Sequence, residues 1–332
     1  MKAVRIVRPG SEEGVELADV PEPSCGPSEL VVEVAASALN RADLLQVLGR
    51  YPPPPDVPQD IPGLEYAGTV VATGERVRRF RVGDRVMGLV GGGAFAERLV
   101  THEREAMPVP AGLELARAAA VPEAFLTAFD ALVLQGGLRP HARVLLHAVA
   151  SGVGTAALQL CQVFRAEAVG TARTEEKLAR CRDLAPFQPV LVPSGAPRFA
   201  ARVLELTSGL GVDLVLDLLG GRYLAESLAC LAPRGRVLLV GTLDGAKAEI
   251  DLRQLLFARA QIIGTVLRAR PLEEKAALSR AFEQLVLPDL ASGRLRPAVD
   301  AVLPMGEVRA ALGRMAANAT VGKLVLSWGA AP

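Results

Sequence analysis

Cysteine is scarce in this chain. Its 332 residues include four, Cys25, Cys161, Cys181 and Cys230, far apart and never in a CxxC pair. That spacing excludes a disulfide scaffold and a zinc knuckle, and a reducing compartment is expected. Histidine is scarcer still, with three residues, His102, His141 and His147. A metal centre needs three or four converging N, S or O ligands, and these three show no paired spacing, so no metal is expected. His102 and His141 read as surface-loop residues, His147 as a ring packed in a strand. Net charge is almost absent too, 37 Lys and Arg against 36 Asp and Glu leaving +1. Without a Lys/Arg run there is no electrostatic footprint for nucleic acid or an anionic membrane, and neither is expected as a partner. No apolar run stands out as long enough to span a bilayer, and Arg5 and Arg8 interrupt the N-terminal stretch that a signal peptide would keep apolar. The expected location is the cytoplasm.

What is present is the composition of a globular enzyme, 50% hydrophobic and 22% charged, in a chain long enough for two domains. From Met1 to about residue 123, short β-rich runs ("LVVEVAASAL", "YAGTVVATG", "DRVMGLV") are broken by Pro and Gly, the pattern of a small β-barrel or sandwich. From about residue 124 the texture changes to strand then helix, repeated: "RVLLHAV" with "VGTAALQLCQVF", "AVGTA" with "TEEKLARCRDL", "VDLVLDLLG" with "YLAESLACL", "GRVLLVG" with "DLRQLLFARA", then "QIIGTVL". Apolar strands alternating with helices build a parallel, doubly wound α/β sheet. The tail from about residue 268 carries two helices and a closing strand, "KLVLSW", and is assigned back to the first domain. The expected domains are therefore 1–123 with 268–332, and 124–267.

"HAVASGVGTAALQL" follows the first strand of the α/β domain and opens its first helix. Free backbone N–H groups and the helix dipole at such a turn favour a pyrophosphate. Ala148 stands where the glycine-rich frame has its first Gly, and Ser151, Gly152, Val153 and Gly154 complete the turn. A tight turn of small residues also has a purely structural use; its place at the head of the α/β domain makes it the dinucleotide-binding candidate. An NAD-selective site carries Asp or Glu at the end of the second strand. Here "GTARTEEKL" puts Thr171 and Ala172 there, followed by Arg173 and Lys177. Two cations and no acid suit the 2′-phosphate of NADP(H), although Glu175 and Glu176 are close enough in sequence to neutralise them.

Taken together, "AASALNRADLLQVLGRYPPPP", "IPGLEYAGTV", "VGDRVMGLVGGGAFAE", "AAAVPEAFLTAFDAL", "SGVGTAALQL" and "NATVGKLVL" resemble the zinc-free quinone oxidoreductases of the medium-chain dehydrogenase/reductase superfamily, and within them the tumour-suppressor-inducible branch. The resemblance covers almost the whole chain. It implies a Rossmann domain inserted in a GroES-like β-barrel domain, NADPH as cofactor, and a homodimer or homotetramer joined through the last Rossmann strand, here "AQIIGTVL". It makes Ser151, present in that branch, a candidate working residue of the turn. It places Tyr51 where substrate meets nicotinamide, with Asn40 beside it, both as hydrogen-bond donors to the substrate oxygen. The bland alternatives are a ring packed on Pro52–Pro55 and a turn-forming amide. It also brings Thr127 near the nicotinamide ribose, Gly241 to a strand end at the cofactor, Thr265 and Leu267 to the carboxamide, and Asn318 to face the cofactor. The chain departs from the branch at Arg173, where a small residue is usual, and near Val192, where a tyrosine often lines the pocket.

Zinc-dependent members of the superfamily have a ligand cysteine where this chain has Asn40, and Gly-His-Glu where it has Gly63-Leu64-Glu65. Leucine cannot bind zinc, and "VMGLVGGGAFAERLV" runs through the structural-zinc region without a cysteine. Without a Lewis acid, the substrate should accept hydride readily, as a quinone or an α,β-unsaturated carbonyl does. Three functions compete: an NADPH-dependent quinone reductase, an enoyl or 2-alkenal reductase on the same scaffold, and a low-turnover NADPH-binding structural or nucleic-acid-binding protein.

Overall fold

The computed structural model describes residues 1–329. The chain divides into two compact units, Met1–Leu126 with Leu267–Pro332, and Thr127–Val266. The first crossing thus falls three residues beyond the expected boundary, within the helix Pro122–Phe129, because nothing in a continuous apolar helix marks where one core ends. The second crossing leaves Leu267 in the first unit.

The first unit begins with β1 (Lys2–Ile6) and β2 (Val15–Asp19), an antiparallel pair of its own. β3 (Glu29–Ala38), β4 (Glu65–Thr73), β5 (Arg85–Leu89), β6 (Arg98–His102) and β7 (Ala106–Pro108) follow. In β3 the alternation of a half-buried strand is visible: Leu30, Val32 and Val34 face a core shared with Tyr66, Val70, Val86 and Leu99.

The second unit contains β8 (Arg143–Leu146), β9 (Glu167–Ala172), β10 (Gln188–Leu191), β11 (Val212–Asp217), β12 (Leu231–Leu239) and β13 (Gln261–Gly264). They form one sheet in the order β10-β9-β8-β11-β12-β13, every pairing parallel. The order reverses at β8 and β11, the switch point beyond whose carboxyl ends such sheets hold ligands. Strands as short as "RVLL" suffice because both faces are covered; Leu145, Val169, Val215 and Val237 share a core with Phe199 and Leu224. β10 and the helix Ala200–Leu206 were not expected from the sequence. β10 is an edge strand containing Pro189, and proline tolerated at an edge hides the strand pattern.

The tail adds β14 (Val299–Pro304), also unexpected, and β15 (Lys323–Ser327). They extend the first unit's sheet to the order β14-β15-β3-β4-β5-β7, with β6 also on β3. β15 runs antiparallel to β3, pairing Val325 with Ala38, so this late strand is part of the first unit's sheet.

One expectation is corrected. The helical stretch Leu115–Gln135 has the length and apolar composition of a membrane-crossing helix, with mean hydropathy 1.3. Its most apolar part is 78% buried within the protein, which makes it a core helix. The sequence concealed its length because Pro122 and charged Arg117, Glu123 and Asp130 punctuate it.

Candidate active site

In the α/β unit, the nucleotide turn leaves β8 at Leu146 and enters the helix Gly152–Val163. Ala148 adopts φ 49°, the left-handed conformation for which the frame uses glycine. Ser151 is the N-cap: its Oγ accepts from the Gly154 amide at 3.0 Å. The serine is therefore a working part of the turn. A Cβ on Gly154 would stand 2.4 Å from the Ala148 carbonyl oxygen, so only glycine lets the helix approach the strand this closely. The amides of Gly152 and Val153, first in the helix, have no intrahelical acceptor. Two amides left open at a helix N-terminus fit a dinucleotide pyrophosphate.

Other residues expected at the cofactor divide by their partners. Thr127 is buried and its Oγ1 has no protein partner, as suits a hydroxyl reserved for a ligand. Arg173 directly follows β9 and is exposed, while Lys177 lies in the helix Glu175–Cys181, whose cap Thr174 accepts its amide at 3.3 Å. Gly241 lies two residues past β12, and a Cβ there would come within 2.8 Å of the Leu218 carbonyl oxygen. Thr265 is engaged inside the unit: its hydroxyl donates to Asp130 (3.0 Å) and accepts from Gln135 (2.8 Å), and its amide donates to Leu239 (3.0 Å).

Leu267 and Asn318 belong to the other unit. Leu267 is buried, and its carbonyl accepts the Arg270 amide at 3.1 Å. Asn318 has φ 53° just past the helix Val308–Ala316 and accepts from Arg41 at 2.6 Å. Its first role is thus to end a helix.

His147 is fully buried on the α/β side, as a strand-packed ring should be. Its Nδ1 is 3.1 Å from Thr171 Oγ1 and its Nε2 2.9 Å from Ser227 Oγ. Burial lowers its pKa to about 4, keeping the ring neutral. His141 is exposed. His102, expected on a loop, instead ends β6 and accepts the Arg104 amide on Nδ1 at 3.1 Å; a five-residue strand flanked by charge left little pattern to read.

The β-rich unit holds a buried charged cluster. Asn40 precedes the helix Arg41–Val47, and its amide nitrogen donates to Asp43 Oδ2 at 2.8 Å. Its side-chain Nδ2 donates to Ala38 O (3.2 Å) and Glu65 Oε1 (2.9 Å), and its Oδ1 accepts from Lys323 Nζ at 2.5 Å. Both amide hydrogens are taken. Asn40 therefore braces Glu65 and Lys323, which differs from the expected donation to a substrate. Glu65 is wholly buried and ion-paired with Lys323 at 2.6 Å, and its other oxygen accepts the Glu123 amide at 2.8 Å. Desolvation and the nearby Glu65 charge push Glu123 up to about 7; desolvation, only partly offset by amides of Asn40 and Gly63, pushes Asp43 up to about 6. Tyr51 is half-buried, and the Arg268 guanidinium carbon lies 5.1 Å from its ring centroid. Sequence reasoning passed over Glu65, Glu123, Lys323 and Arg268 as participants; the only signal was that Glu65 and Lys323 sit inside quoted motifs.

Among the described residues, no three His, Cys, Asp or Glu gather as a metal site requires. Leu64 is buried beside Glu65, so the donor set does not fit zinc.

Two family models match the chain, "Alcohol dehydrogenase GroES-like domain" over residues 26–111 and "Zinc-binding dehydrogenase" over 152–283. Mouse synaptic vesicle membrane protein VAT-1 homolog is 31% identical over 320 residues, 92% of this chain and 77% of its own length. The chain belongs to the medium-chain dehydrogenase/reductase superfamily. Solved structures of this superfamily match 98% of its length. A quinone oxidoreductase of Pseudomonas syringae pv. Tomato DC3000 gives a TM-score of 0.86 at 29% identity, covering 98% of this chain and 99% of that one. Mycobacterial Rv1454c complexed with NADPH gives 0.87 at 28%, covering 98% and 100%. The CurK enoyl reductase gives 0.83 at 28%, covering 98% of both. The chain is thus a medium-chain oxidoreductase with the superfamily's GroES-like and Rossmann-type parts, and a nicotinamide cofactor belongs with its nucleotide turn.

Proposed function

We propose that this medium-chain reductase is an NADPH-dependent, zinc-independent quinone reductase of the cytoplasm. The observation that carries this is the Asn40–Glu65–Lys323 cluster beside Leu64. Metal-dependent relatives need ligands there, whereas this chain has the amide of Asn40, the apolar Leu64 and a Glu65 carboxylate already paired with Lys323. An acceptor that needs no Lewis acid, such as a quinone, fits that chemistry. Arg173 and Lys177, with no acid at the end of β9, support NADPH over NADH.

When bound, a reduced nicotinamide would supply the hydride, and a proton from solvent would complete the hydroquinone. This chain's residues bind and orient. Gly152, Val153 and Ser151 hold the pyrophosphate turn, Thr127 offers its hydroxyl, and Tyr51 donates to the acceptor oxygen as negative charge develops there. Asn40 acts indirectly, by fixing Glu65 and Lys323. A homodimer accords with the exposed edge residues Ile262 and Val266 and with Leu256 and Phe257, 72% and 85% exposed.

The test is NADPH and NADH oxidation with 1,2-naphthoquinone and with 2-hexenal. Faster quinone turnover with NADPH is expected. Faster 2-hexenal turnover would favour the enoyl-reductase alternative that the likeness to CurK supports, and no turnover would overturn the enzymatic reading. Tyr51→Phe should lower kcat/KM for the quinone about 10-fold or more; a change within twofold would remove Tyr51 as donor.

A further inference from the structure

Arg268 lies in the β-rich unit and is only 4% exposed. Its Nε donates to the Gly91 carbonyl at 2.7 Å and its Nη2 to Gln46 Oε1. Its Nη1 has no partner. The guanidinium lies against the Tyr51 ring. All of these neighbours are neutral, yet a buried cation is ordinarily held by a carboxylate or another anion. The acids that feel its charge, Asp43 and Glu123, make no ion pair with it. The two oxygens of Asp43 already accept the Asn40 and Gly63 amides, and burial pushes both carboxyls toward the neutral form. Arg268 is therefore a desolvated cation whose Nη1 keeps both of its N–H groups unspent. The Tyr51 ring against which it lies is half-exposed and belongs to a segment without regular secondary structure.

We propose that Arg268 recognises a negatively charged group, a carboxylate or sulfonate, on the acceptor, so that anionic quinones are the preferred substrate class. This rests on the quinone-reductase reading. Nη1 and Nη2 form a planar fork suited to the paired oxygens of such a group, and Gln46 releases Nη2 to it.

The test compares kcat/KM for 1,2-naphthoquinone-4-sulfonate and 1,2-naphthoquinone, with NADPH, in the wild type, Arg268→Gln and Arg268→Lys. Structural damage lowers both rates, so the ratio is the readout. Loss of a charge-assisted hydrogen bond should cut the preference for the sulfonate by about 10- to 100-fold in Arg268→Gln, with Arg268→Lys keeping part of it. A ratio unchanged within twofold would overturn the proposal. So would a raised KM for NADPH with the ratio unchanged, which would assign the guanidinium to a cofactor phosphate. Calorimetric binding of 1-naphthalenesulfonate and its neutral sulfonamide to the wild-type protein needs neither turnover nor a foldable variant. Tighter sulfonate binding without quinone turnover would overturn only the quinone reading, and equal binding would overturn the anion site.

Discussion

The two units each bury a polar cluster, and they solve the problem in opposite ways. The β-rich unit buries charge: Glu65 against Lys323, braced by Asn40, with Glu123 and Asp43 nearby. The α/β unit buries a neutral trio, His147 between Thr171 and Ser227, packed edge-on against Phe199 and Tyr223. A charged cluster fixes its members firmly but leaves a heavy penalty if one partner goes, while a neutral one risks only a hydrogen bond. The two clusters also shift proton affinity in opposite directions. Folding raises the affinity of Asp43 and Glu123 for protons and lowers that of His147.

The largest effect should come from Lys323→Met, which leaves Glu65 buried without its cation. A loss of about 3–5 kcal/mol is expected in denaturant unfolding; a loss below about 1 kcal/mol would erase the contrast between the units. Ser227→Ala should cost less, about 1–3 kcal/mol, because it strands one neutral ring nitrogen. A cost equal to that of Lys323→Met would show the neutral cluster to be just as tightly coupled.

The contrast also has a pH dependence. Groups raised in the fold, Asp43 from 3.8 to about 6 and Glu123 from 4.5 to about 7, give stability that is lost as pH rises through those values. His147, lowered from 6.5 to about 4, gives stability lost as pH falls through that interval. Between pH 5 and 7 the Glu123 contribution falls while that of His147 rises. Glu123→Gln removes the falling part, so its stability should climb relative to the wild type across that range. Parallel curves would mean that Glu123 is ionised in the fold.

The nucleotide turn was legible because its chemistry is local. Ser151, Gly152 and Gly154 lie within one turn of chain, and small residues between an apolar strand and a helix have few other uses. The cation pair after β9 was equally local. β10 and β14 were not legible, being a proline-bearing edge strand and a strand whose partner lies beyond a helix. Asn40 shows the limit most clearly. Its sequence neighbours suggested a donor facing substrate, but Glu65 and Lys323, 25 and 283 residues away, use its amide.

By itself the sequence determined the division into a β-rich and an α/β part and the small-residue turn that opens the first helix of the α/β unit, because each depends on periodicity or on local turn chemistry. Only the tertiary structure decided which polar residues are spent on one another and which keep an open valence. Asn40 is spent, while Thr127 and Arg268 are not. The physical reason is that a buried polar group is fixed by whichever partner the fold carries to within 3 Å of it, and the chain brings those partners from far along its length.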